Sequence, residues 1–80
     1  FRFTSPEIER MAQMEHHRWA EALRREGWTY APGARDEAHK THPALLPWDQ
    51  LSEADREKNR VAARELPTFL ARAGFEVRRR

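Results

Sequence analysis

The sequence predicts a mainly α domain with a small β component (α+β). Two antiparallel helices pack together, an extended proline-rich segment connects them, and a minimal two-stranded ribbon completes the unit. Three observations carry this expectation. Apolar residues recur every three or four positions over 5–26 and again over 52–73, the spacing of helices that bury one stripe. Between them, Gly27 to Leu51 holds Pro32, Pro43 and Pro47 together with Gly33, which excludes continuous helix. Trp28 and Trp48 both fall in this non-helical stretch, where they either complete the core or hold a ligand.

The first helix is expected over residues 5–26. Thr4 or Ser5 can accept from its free amides, Pro6 sits in the first turn where its missing donor is harmless, and Glu7 complements the helix dipole. Ile8, Met11, Ala12, Trp19, Ala20 and Leu23 form its core stripe, with His16 on the same stripe, and Glu21 is placed to pair with Arg25 on the flank. Gly27 ends it. Trp28-Thr29-Tyr30 reads as a short strand, Ala31 to Thr41 as a mobile polar excursion, and Pro43 and Pro47 make the return segment extended. The second helix starts at Ser52, whose hydroxyl can cap the amide near Asp55, and runs through Val61, Ala62, Leu66, Phe69, Leu70 and Ala73 to Gly74. Pro67 removes the bond to the Ala63 carbonyl, so a kink or a fresh start is expected near residues 63–67. Phe75-Glu76-Val77 alternates like a strand, and its expected partner is Trp28 to Tyr30.

Eighty residues make a single domain, 1–80, with a core that gives only marginal stability. Phe1 as first residue suggests a piece excised from a longer polypeptide. With no cysteine there are no disulfides and no thiolate ligands, which suits a reducing, cytoplasmic setting. No apolar run approaches the ~20 residues of a membrane span, so no direct membrane insertion is expected. The net charge of +2 is misleading. Of 15 basic residues three are Arg78, Arg79 and Arg80, a basic tail or linker, and the other 12 face 13 acids, so no nucleic-acid partner is expected.

Met11-Ala12, His16, Trp19, Gly27-Trp28-Thr29-Tyr30, Arg35-Asp36, Lys40, His42-Pro43, Leu46-Pro47-Trp48, Leu51, Lys58-Asn59-Arg60 and Gly74-Phe75 agree in order and spacing with a known domain type. The chain resembles the ryanodine-receptor repeat, or RyR domain, over nearly its whole length. It is similar to bacterial single-copy members, which are often attached to nucleotide-binding or potassium-channel-related regions. Three positions depart from the pattern: His17 stands where an acid is usual, Ala31 where glycine is common, and Pro67 inside the second helix. In animal calcium-release channels the repeats form tandem pairs on the cytosolic periphery, act as regulatory modules, and are linked to adenine-nucleotide binding through tryptophans. The resemblance implies Trp19 and Trp28 as ligand candidates.

Each candidate has a structural and a functional reading. Trp19 lies on a core stripe, while Trp28, Tyr30 and Trp48 either plug the open end of the helix pair or stack on a planar base. His16 either donates to a carbonyl of the extended segment or bonds a ligand between Trp19 and Trp28, with Arg35, Lys40 and Arg60 contacting its phosphates. The structural alternative has Asn59 tying down the proline-rich segment and Arg60 pairing with an acid such as Asp49. Asp36, His39 and His42 are spaced by three, but adjacent His16 and His17 point about 100° apart on a helix, so no metal and no cofactor are expected. Ser5 and Ser52 read as caps, so no enzyme is expected. The sequence therefore predicts a non-catalytic regulatory or sensing module whose partners are the other domains of its parent protein and an adenine nucleotide. The alternative is a self-association module, a homodimer that buries its aromatic face.

Overall fold

The computed structural model describes residues 1–79. Its elements run in the order α1 (Ser5–Arg25), β1 (Thr29–Tyr30), β2 (Thr41–His42), a 3-10 turn (Trp48–Gln50) and α2 (Glu53–Arg72). Thr4 is the residue that caps α1. Its hydroxyl accepts from the Glu7 amide at 3.3 Å while the Glu7 carboxylate accepts from the Thr4 amide at 2.7 Å, a reciprocal box that satisfies two donors. At the start of α2 the Ser52 hydroxyl accepts from the Asp55 amide at 3.1 Å, as the sequence predicts.

The two helices pack antiparallel: Glu9, early in α1, bonds Arg60, whereas Trp19, three turns later, shares a groove with Asp55 and Lys58 at the start of α2. The buried face of α1 is a single row at four-residue spacing, Ile8, Ala12, His16 and Ala20. Two alanines in that row let neighbouring backbone come close. Ala63 is the buried residue of α2. The segment from Pro43 to Leu51 is a strap that supplies Leu45 and Leu51 to the interior.

Both helices stop by the same device. Past α1, Gly27 has φ +91°, its amide donates to Arg24 O, and the Trp28 amide donates back to Leu23 O, each at 3.0 Å. This is a Schellman motif, and its usual apolar contact forms between Trp28 and Leu23 as both join the cluster of Ala20 and Leu45. Past α2, Gly74 at φ +88° repeats the pattern, with the Phe75 amide donating to Leu70 O at 2.8 Å.

That second motif corrects the expected ribbon. The Phe75 amide is engaged by α2, and Phe75 to Val77 form no strand. The partner of β1 is β2, in parallel, with Thr29 opposite Thr41 and Tyr30 opposite His42. Trp28 lies just outside β1, because its amide belongs to the helix cap. A parallel pair normally needs a crossover of a dozen residues or more. The loop between β1 and β2 manages with fewer because Lys40, at φ +54°, turns it sharply, and because Asp36 and Thr41 exchange both backbone bonds at 2.9 and 3.0 Å. The stretch read as a mobile excursion is thus pinned by its own ladder, by the Asp36 carboxylate on the His39 ring at 2.7 Å, and by Lys40 Nζ on Glu26 O at 2.8 Å.

α2 continues through Pro67 to Arg72 with no fresh start. Glu21 pairs with Arg24, not Arg25, at 3.2 Å. Asn59 donates to Asp55 O within its own helix, and Arg60 pairs with Glu9 and Glu53 in place of Asp49. Of the basic tail, Arg79 returns to Glu7 and to the carbonyl of Arg2, and Arg80 lies outside the described residues. The Arg79 guanidinium, with the Thr4 amide, holds the Glu7 carboxyl down to about 2.

Trp28 is the largest side chain of the interior, 6% exposed. Truncating such a ring forfeits its transfer energy and leaves a cavity, so Trp28→Ala is expected to lose about 3–5 kcal/mol in urea unfolding, enough to unfold much of a domain this small.

Candidate functional site

His16 is the pivot of the site. It is 5% exposed, yet its Nε2 reaches Leu46 O of the strap at 2.7 Å. A carbonyl only accepts, so Nε2 carries the hydrogen and donates, which is the structural reading of this residue. The imidazole lies between two indoles, with ring centres 5.6 Å from Trp19 and 6.1 Å from Trp48.

On the Trp19 side, that indole meets the His42 ring edge to face at 4.9 Å and 78°. β2 places His42 there, and its Nδ1 accepts from the Ala44 amide at 3.0 Å, which requires that nitrogen to be unprotonated. α2 faces the pair with Asp55, Lys58 and Asn59, at the three- and four-residue spacing that puts side chains on one face. Together with Glu15, His16 and Ala44 they enclose a groove of about 250 Å³. Burial first, and the charge of Arg35 second, push the His42 imidazole below its ordinary value, while Asp55 acts in the opposite sense.

The other predicted residues take different positions. Trp28 packs with Ala20 and Leu45 and has the Arg35 guanidinium 5.0 Å from its ring centre, so a base finds no open face there. Arg35 also pairs with Glu37 at 2.9 Å, and Lys40 caps the end of α1. Arg60 binds Glu9 at 2.7 Å and Glu53, and lies over Trp48 at 5.7 Å. It buckles both helices to the strap and holds the Glu9 carboxyl below the usual range. Tyr30 is exposed on β1. The structure thus gathers His16 and Trp19 in one groove, and His16 with Trp48 along another, while Arg35, Lys40 and Arg60 have partners elsewhere. His42, Asp55 and Lys58 are groove residues that the sequence does not offer as ligand contacts. Among the described residues no group of three His, Cys, Asp or Glu is placed to hold a metal ion.

The family model of the RyR domain matches residues 4–79. The chain belongs to the RyR domain family. This RyR domain therefore presents its groove where both helices, β2 and the strap meet. Among the described residues no helix is long and apolar enough to cross a membrane.

The lowered value of His42 gives the RyR domain a pH signature. The neutral ring is favoured on folding, so its stabilising effect is whole above the ordinary value of 6.5 and is lost as pH falls through 6.5 toward the lower folded value. Urea midpoints measured across this window are expected to fall with pH, and His42→Gln is expected to flatten that part of the profile.

Proposed function

We propose that this RyR domain is a non-catalytic regulatory or sensing module of a larger cytoplasmic protein, one related to ion channels or nucleotide-binding proteins. It takes an adenine-nucleotide-like ligand in the Trp19 groove. One observation carries the reading: the groove unites an indole and two imidazoles with Glu15, Asp55, Asn59 and the exposed ammonium of Lys58, whose pairing with Asp55 is loose at 3.9 Å. Flat rings offer a stacking surface to a base, worth ~1–3 kcal/mol. Asp55 supplies an acceptor for its edge, Asn59 supplies its amide oxygen and the second hydrogen of the nitrogen that bonds Asp55 O, and Lys58 supplies charge for a phosphate. At about 250 Å³ the groove is a little smaller than most small-ligand sites, roughly 300 to 1,000 Å³, so the base enters and the phosphates stay at the mouth. A non-catalytic role is supported by Ser52, whose hydroxyl is engaged in capping, and by Ser5, which sits in the first turn of α1 beside Thr4.

Calorimetry with ATP, ADP, AMP and adenosine, read alongside indole emission, tests this. Trp19→Leu and Lys58→Glu are each expected to weaken nucleotide binding about tenfold, equivalent to 1.4 kcal/mol. A flat response to the whole panel, or equal binding by both variants, removes the reading.

A second reading, self-association, draws on Val61, Phe69 and Phe75, large apolar side chains exposed on the C-terminal half. Sedimentation at rising concentration is expected to show a dimer that Phe69→Ser dissociates if this face pairs; a monomer at every concentration excludes it.

A further inference from the structure

The opposite flank of the His16 row carries a larger concavity that the nucleotide reading leaves unused. Gln13, His17, Ala20 and Arg24 recur along α1 at three- and four-residue spacing and form its floor, and Leu46, Pro47 and Trp48 of the strap form its wall. It measures about 500 Å³, twice the Trp19 groove and inside the range of small-ligand sites. Its lining pairs an apolar surface with one guanidinium. Met14, Leu46, Pro47 and Trp48 are apolar, Arg24 and His17 stand at the polar side, and no carboxylate lines it. Met14 is 70% exposed here, an unbranched thioether that adapts to the shape of whatever it meets. Among the described residues the Arg24 side chain is held by its exposed pair with Glu21 at 3.2 Å, an interaction worth little in water, so its guanidinium can turn to an incoming anion.

We propose that this groove is a second binding site, for a small organic anion with a flat apolar body. The body lies against Trp48, Pro47 and Met14, and the anionic group meets Arg24. A neutral body alone lacks the charge-assisted bond, and a bare inorganic anion lacks the apolar contact.

Anilinonaphthalene sulfonate, a flat apolar body with one anionic group, is the probe, and uncharged phenylnaphthylamine is its partner without the charge. The sulfonate is expected to bind the full chain at a single site, with the uncharged dye about tenfold weaker. Because Met14 and Arg24 are exposed, Met14→Glu and Arg24→Glu leave the fold intact, as thermal melts verify, and each is expected to weaken sulfonate binding about tenfold. Lys58→Glu, in the other groove, and Phe69→Ser, on the exposed apolar surface, are expected to leave it unchanged. Equal binding of the two dyes, indifference to Met14→Glu and Arg24→Glu, or loss on Phe69→Ser overturns the proposal. Loss of nucleotide binding in Lys58→Glu with dye binding intact separates this site from the Trp19 groove.

Discussion

The arrangement depends on one hydrogen bond made inside the protein, from His16 Nε2 to the carbonyl of Leu46. Ahead of its 3-10 turn the strap has no helix or sheet to satisfy its backbone, and a carbonyl withdrawn from water without a donor destabilises the fold by ~1–3 kcal/mol. His16 supplies that donor from the middle of the row that α1 buries. The strap is therefore fixed in register along the helix, and Leu45 and Leu51, on either side of the bonded carbonyl, enter the core. The same imidazole separates Trp19 from Trp48, so fixing the strap also creates two grooves, one on each flank.

Around this bond the charged residues act as fasteners. Arg60, with an 18% exposed side chain, reaches Glu9 on α1 and Glu53 at the start of α2 while lying over Trp48. Arg35 lies over Trp28, and Lys40 closes the end of α1. Each guanidinium or ammonium that the functional reading of the sequence offered as a phosphate ligand instead joins two elements that have little apolar area to share. In a chain this small, with seven buried apolar residues among those described, such joints supplement a thin core.

Local signals in the sequence were strong where the physics is local. Thr4, Pro6 and Glu7, Ser52, and the glycines at 27 and 74 mark both helices because caps depend on residues three or four apart. The donor role of His16 was also legible, since a lone histidine on an apolar stripe beside a proline-rich strap needs an acceptor. Strand pairing was not. Phe75 to Val77 has the composition of a strand, but its first amide is taken by the Schellman bond to Leu70, and the true partner of β1 holds only Thr41 and His42, too short to show alternation. The Trp19 groove was half visible. His16 and Trp19 follow from the helix stripe, whereas Asp55 and Lys58 become meaningful only once the antiparallel packing brings the start of α2 beside them.

The end of α1 also constrains chain length. Because Trp28 follows directly on Gly27, its indole is aimed by the last turn of the helix and not by the loop beyond. Each added or deleted residue within α1 turns that exit by about 100° and carries the ring out of the interior. The distance from His16 to Trp28 is thus counted in single residues, whereas the tip near Pro32 to Ala34, exposed and remote from the core, tolerates changes in length. Evolution of this domain is free to lengthen that tip but must keep the spacing of the helix.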